Sequence, residues 1–329
     1  MNPNPAPANA RTDPKQTPCS VIVCTYQRAE SLHETLGALK ALEIAAGRVV
    51  EFMVVDNNSG DHTRQVVERY QGEWPTLRYE FESAQGLSHA RNHGIACARG
   101  EIILFTDDDV LPAADWLEQT VAGLERYGAD ACGGYIAPIW EVPPPAWLTE
   151  RFHGFLAVRT DREDDYPIDS PSLAPFGANM AFRKAVFDRV GLFDTERGRK
   201  GKVLASGEDG EMFERILGAG LKAVFLGGAR VRHKVEAFRM TRGYIRRWRR
   251  QTSRNLALSK GLPGSRRIFN IPLYLFPQFL RALWRMISAR LGAPADEAFN
   301  REIVVCHFIG TFEGLLKART TPARMTRMP

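Results

Sequence analysis

EIILFTDDDV, residues 101–110, is the stretch that decides the fold. Its apolar run, Ile102–Phe105, is short and rich in branched side chains, which is the pattern of a buried β-strand. An uninterrupted apolar strand is covered on both faces, as in a parallel sheet. The run ends in three consecutive carboxylates, Asp107, Asp108 and Asp109. Asp107 and Asp109 are two apart and so share one strand face. Like charges so close together repel unless a cation sits beside them. Mg²⁺ typically takes one or two protein carboxylates together with substrate phosphates. A solvated acidic turn is the alternative reading of an isolated triplet.

Upstream, the same grammar repeats. SVIVCTY (20–26) and VEFMVVD (50–56) read as buried strands and LRYEF (77–81) as a shorter one. Between them, Leu32, Leu36, Leu39 and Leu42 share a helical face, a second helix is expected from about Thr63 to Tyr70, and LSHARNHGIACA reads as a third. Strand and helix therefore alternate over residues 20–110, the mark of an α/β domain with a mostly parallel sheet. In open α/β sheets ligands bind beyond the carboxyl ends of the strands. Three such ends are polar here: Thr25-Tyr26, Asp56-Asn57 and Asp107–Asp109.

Downstream, ADWLEQTVAGLERYG is an amphipathic helix, and DACGGYI, ANMAFR, LKAVFLG and ARVRHKV read as four strands. A helix is expected over about 209–219, after GEDGEM. The character changes at residue 241. Residues 241–260 hold six Arg, one Lys and no acid; without these seven, 37 basic residues face 38 acidic ones, so the formal charge of +6 is local. A concentrated basic stretch favours an anionic partner such as a membrane surface or a diphosphate. IPLYLFPQFLRALWRMIS is apolar but contains Pro272, Pro277, Arg281 and Arg285. It fits an interfacial or packed helix better than a spanning one, which needs about 20 mostly apolar residues. The five cysteines are scattered without a CxxC pair, which argues against a zinc-finger or disulfide framework. The N-terminal residues have no apolar core of a secretory signal.

Taken in order, SVIVCTYQR, VVDNNSGD and GLSHARNHGIACARGEIILFTDDDV resemble the nucleotide-binding half of family-two glycosyltransferases, which have the GT-A fold. FGANMAFRKAVFDRVGLFD, GEDGEM and VRHKVEAFRMT resemble their acceptor half, so the resemblance covers roughly residues 19–242. It implies a Rossmann-like, mostly parallel sheet flanked by helices, and an organisation into a disordered lead (1–17), a catalytic domain (18–240, nucleotide half to 110), a helical basic extension (241–317) and a disordered tail (318–329). It also implies residue roles. Thr25, Tyr26, Asp56, Gly86, Arg91, Asp107 and Asp108 would line the nucleotide. Asp109, with Asp107 and His233, would hold Mg²⁺ or Mn²⁺, and Asp209 would be the base, with Glu208 as its acceptor-side partner. Gly177, Asn179 and Trp147 would face donor sugar or acceptor.

The expected reaction is inverting transfer of a sugar from a nucleotide-diphosphate donor, with a UDP-sugar as first expectation, to a hydroxyl of a glycan or lipid-linked acceptor. The setting expected is the cytoplasm, with peripheral membrane contact through 241–290 and no nucleic-acid partner. Two other classes stay open on the residues alone. A metal-dependent nucleotidyltransferase would share the acids and the α/β domain, but CTYQRAES lacks the Gly-rich loop such enzymes often carry after the first strand. A non-enzymatic basic protein binding membrane or nucleic acid would use the arginines after residue 241 and leave the DDD and GED motifs unexplained. No GxxxxGK[ST] occurs, which excludes a P-loop enzyme.

Overall fold

A computed structural model of the chain describes residues 17–198, 207–264 and 266–318. The expected disordered ends, up to residue 16 and from 319 on, lie outside the described residues. The described chain falls into two compact units, one built from 17–139, 159–196 and 208–234, the other chiefly from 140–158 and 235 onward.

In the first unit, β1 (Cys19–Thr25), α1 (Ala29–Lys40), β2 (Val50–Asp56), α2 (Thr63–Glu73), β3 (Leu77–Phe81), α3 (Leu87–Cys97) and β4 (Ile102–Asp107) follow the expected alternation. The strands pair in the order β3-β2-β1-β4, all parallel. After β5 (Val110–Pro112) and α4 (Trp116–Tyr127), the sheet continues through β6 (Ala131–Trp140), the two-residue β7 (Tyr166–Pro167) and β8 (Met180–Arg183). Then come α5 (Ala185–Val190), α6 (Glu208–Gly218) and the long β9 (Ala223–Val235). Strand β8 pairs antiparallel with β4 and extends the sheet beyond its parallel half.

Alternate residues of the parallel strands enter different cores. Val21, Val23, Phe52, Val54, Ile102 and Leu104 pack with Leu32, Leu36, Val67 and Leu117 from α1, α2 and α4. Ile22, Cys24, Met53, Val55, Ile103 and Phe105 pack with Ala90 and Ile95 of α3 and Met212 and Phe213 of α6. A strand buried on both faces needs no polar alternation, which is why these strands read as continuous apolar runs.

Two expectations are corrected. The segments LKAVFLG and ARVRHKV form one strand, β9, rather than two. The glycines between them do not break it: a Cβ on Gly227 would sit 1.5 Å from the Glu163 carbonyl oxygen, so glycine is there to let two backbones approach. The second correction concerns the acids. Strand β4 ends at Asp107, and Asp108-Asp109 form the turn into β5, so Asp107 and Asp109 do not share a strand face.

The second unit is helical. Leu148, Phe152 and Leu156 pack with Tyr244 and Ile245 of α7 (Arg242–Lys260) and Phe299 and Ile303 of α9 (Ala295–Ala318). Close contact of α7 and α9 depends on two glycines four residues apart: a Cβ on Gly310 would lie 2.2 Å from the Arg250 carbonyl oxygen, and one on Gly314 would lie 2.3 Å from that of Arg254. Between them in sequence, α8 (Leu275–Ala289) buries Leu275 and Ala282. Leu280, Trp284, Ile287 and, just past its end, Leu291 are spaced to fall on one side, and all four are exposed. Among the described residues, no helix is long and apolar enough to cross a membrane.

Candidate active site

Parallel pairing of β1 with β2 and β4 brings the three polar strand ends to one edge of the sheet. Thr25 Oγ1 donates to Asp108 Oδ2 at 2.7 Å. Three residues on, Arg28 reaches the same acids: its Nε lies 3.3 Å from Asp108 Oδ1 and its Nη2 3.2 Å from Asp109 Oδ2. Across β5, Val110 pairs with His233 of β9, which places His233 Nε2 3.4 Å from Asp109 Oδ1. Asp108, Asp109 and His233 are all buried.

Burying neighbouring carboxylates disfavours their charged forms. Burial, with Asp109 beside it, raises the pKa of Asp107. Burial pushes Asp108 up to about 7, against the pull of Arg28. Carboxylates held together in a buried turn are a hard oxygen donor set that fits Mg²⁺ or Mn²⁺, and the neighbouring imidazole suits Mn²⁺ better than Mg²⁺; either ion would relieve the repulsion.

At the nucleotide end, Asp56 is buried and accepts from the Tyr79 hydroxyl at 2.8 Å and from the Ser59 amide at 2.9 Å. Burial and Asp56 together push the Tyr79 phenol up. The next residue, Asn57, fixes the segment leading into α3: its amide donates to the Glu82 and Ala84 carbonyls, and its Oδ1 accepts from the Gly86 amide at 2.7 Å. Gly86 caps α3 at φ 145°, a conformation glycine tolerates and other residues resist. Tyr26 is half-buried at the end of β1.

The GED motif opens α6. Arg91, only 2 % exposed, extends from α3 so that its Nη1 lies 2.7 Å from Asp209 Oδ1 and 3.5 Å from Glu208 Oε1. Asp209 Oδ2 accepts the Gly177 amide at 2.8 Å. No side chain fits at Gly177, because a Cβ there would meet Arg91 Nη2 at 1.8 Å. Burial works against the Arg91 charge, but Asp209 and Glu208 outweigh it and raise its pKa. Arg91, His233 and Asp209 also lie within electrostatic reach of Asp107, after burial and Asp109.

Asn179 is buried with its side chain engaged within the protein: Nδ2 donates to the Tyr135 and Ala229 carbonyls, and Oδ1 accepts from Trp116 Nε1. Trp147 lies in the second unit, 4.9 Å centroid to centroid from Phe299 and under the Arg242 guanidinium. Sequence reasoning missed Arg28 and Tyr79, and gave Asn57 only as part of a polar strand end. Arg28 had a usable signal, since it falls three residues past the end of β1, the strand paired with β4.

The family model described as "Glycosyl transferase family 2" matches residues 20–191. A glucosyl-dolichyl phosphate glucuronosyltransferase of Haloferax volcanii is 28% identical over 67% of this chain and 70% of its own length. The succinoglycan biosynthesis protein ExoM of Rhizobium meliloti is 27% identical over 76% of this chain and 78% of its own. Among solved structures, a mannosyltransferase of Pyrobaculum calidifontis in complex with GDP-Man and Mn²⁺ covers 95% of this chain and 91% of its own with a TM-score of 0.59. At 20% identity that similarity speaks to a shared GT-A fold.

Proposed function

The chain belongs to glycosyl transferase family 2, and from that premise we propose that it transfers a sugar, with inversion, from a nucleotide-diphosphate donor to an acceptor hydroxyl. One observation carries this reading. Buried Asp108 and Asp109, with Arg28 and His233, sit at a strand-end edge, and the same unit holds the pair of buried Arg91 with Asp209. One half is suited to a diphosphate with its cation, the other to a proton acceptor.

In this reading Asp107, Asp109 and His233 would hold Mg²⁺ or Mn²⁺, which would supply Lewis-acid charge to offset the departing diphosphate. Arg28 adds a fixed positive charge beside the same acids. Thr25, Tyr26, Asp56 and Gly86 line the nucleoside, with a UDP-sugar as the first donor to try. Asp209 takes the acceptor proton. Its two oxygens are oriented by the Arg91 guanidinium and the Gly177 amide. The acceptor oxygen bonds to the anomeric carbon as the bond to the diphosphate oxygen breaks, the diphosphate leaves from the opposite face, and the configuration inverts. Glu208 serves as the second carboxylate on Arg91, and Gly177 keeps the space that Arg91 occupies. Asp209→Asn removes the base and keeps the shape. It is expected to lower transfer by about 10²–10⁴-fold, the range for general-base groups, with nucleotide affinity unchanged. Near-full transfer by this variant excludes Asp209 as the base.

The acceptor proposed is a glycan chain or a sugar on a lipid carrier, met at the cytoplasmic face of a membrane. The second unit supports this. Its exposed stripe of Leu280, Trp284, Ile287 and Leu291 is apolar, with Arg281 and Arg285 on the same helix. A cavity of about 480 Å³ is lined by Arg246, Arg247, Arg250 and Arg254 of α7 with Cys306 and Glu313 of α9. A basic, apolar-edged surface of this kind suits an anionic lipid interface. Sedimentation with phosphatidylglycerol vesicles, and not with phosphatidylcholine vesicles, is the expected result; no partition to either excludes the membrane reading.

A further inference from the structure

A second set of metal-ligand side chains lies where α3 meets the edge strand β3. His93 and Cys97 are four apart on α3 and so share a face. Glu80 belongs to β3. One ligand atom from each of Glu80, His93 and Cys97 lies within 4.8 Å of the other two. None of the three has a role in the sugar-transfer reading above.

The surroundings of these residues are those of a metal site. His93 Nδ1 is 3.3 Å from Glu82 Oε2, a placement that favours the tautomer with its proton on Nδ1 and a lone pair on Nε2. Nε2 is buried and makes no hydrogen bond among the described residues. It lies 3.6 Å from Glu80 Oε2, beyond hydrogen-bond range. Metal bonds of about 2.0–2.2 Å to nitrogen and oxygen put neighbouring ligand atoms of a tetrahedral zinc ion roughly 3.3–3.5 Å apart, so that gap is one a metal would span. The other oxygen of Glu80 accepts from Arg78 Nη2 at 2.6 Å, which orients the carboxylate and leaves Oε2 for a ligand bond. Burial, and then the charge of Glu80, push the Cys97 thiol up, so a metal that takes the thiolate must displace its proton.

We propose that Glu80, His93 and Cys97 form a zinc-type site, with Glu82 and Arg78 as the groups that orient its ligands. Thiolate and imidazole donors select Zn²⁺ or Co²⁺ over Mg²⁺, so this site differs in chemistry from the acids at the end of β4. Binding forms bonds from the ion to Sγ, Nε2 and Oε2, releases the Cys97 proton to solvent, and leaves a fourth position for water. The ion would clasp α3 to β3 across the segment 82–86, which Asn57 already holds through the Glu82 and Ala84 carbonyls and the Gly86 amide.

The test is a Co²⁺ titration of the full chain followed by absorption, in an Asp109→Ala background that weakens the carboxylate site. One equivalent of Co²⁺ is expected to give a near-ultraviolet sulfur-to-cobalt band, displaced by Zn²⁺. The band is expected to vanish in Cys97→Ser and in His93→Ala and to persist in Cys306→Ser. Glu82→Gln retains all three ligands and is expected to weaken Co²⁺ binding about 10–100-fold, the usual cost of losing an orienting partner. The absence of a sulfur band in the folded parent protein overturns the proposal. So does a band that survives Cys97→Ser, or one lost in Cys306→Ser.

Discussion

The two units use arginine in opposite ways. In the first, Arg91 is buried between Asp209 and Glu208, and Arg28 is held against Asp108 and Asp109. In the second, four arginines of α7 line an open cavity; Arg246 and Arg250 are paired at its edges with Glu302 and Glu313. A buried guanidinium among carboxylates holds a geometry, because each charge is costly without the other. Arginines lining an accessible cavity, even where two of them are paired with glutamates, present positive charge towards solvent. In the proposed reading, chemistry belongs to the first unit and recognition to the second.

The largest expected effect breaks the first arrangement. Arg91→Met leaves Asp209 and Glu208 without their guanidinium and should cost about 3–5 kcal/mol of folding stability, read from urea unfolding. A cost below about 1 kcal/mol would show that the carboxylates do not depend on it. In the second unit, Trp284→Glu should weaken partition onto phosphatidylglycerol vesicles about tenfold or more, from the loss of one large apolar side chain at the interface. Its urea midpoint should stay near that of the parent, because Trp284 is exposed. Equal partition by parent and variant would separate the α8 stripe from the membrane. Gly314→Val should destabilise the chain by about 1–3 kcal/mol by forcing α9 off the α7 backbone; an unchanged urea midpoint would show that the helices can part without loss.

The smallest effect distinguishes the units by pH. His307 in α9 lies 2.8 Å from Ser253 Oγ, and burial, with help from Arg249, lowers its pKa from 6.5 to about 4. The folded state therefore binds fewer protons than the unfolded chain, so this contribution to stability is present above pH 6.5 and is lost as the pH falls towards 4. His307→Gln should flatten that acid limb of the stability curve. An identical limb in the variant would assign it elsewhere.

Much of the first unit was legible from sequence because a buried parallel strand leaves a mark that survives without tertiary context. IILFTDDD and VEFMVVD each state a strand, its burial and its reactive end. What escaped was set by long-range contact. The resemblance names Arg91 only as lining the nucleotide; its pairing with Glu208 and Asp209 shows only once α6 is brought to it. Arg28 reads as loop until parallel pairing of β1 and β4 sets it beside the acids. Gly227-Gly228 reads as a break in β9, although Gly227 only makes room for the Glu163 backbone. The turn at Asp108-Asp109 was missed because strand periodicity carries no signal of where pairing stops.

The central claim is that the acids ending β4 form the donor's diphosphate and metal site. The most direct test is thermal shift against UDP, GDP, dTDP and CMP, each with and without Mn²⁺, for the parent protein and Asp109→Ala. The account predicts stabilisation by one nucleotide that requires Mn²⁺ and disappears in Asp109→Ala. Folded proteins that show no shift with any nucleotide, or a shift that is the same in Asp109→Ala, would contradict it.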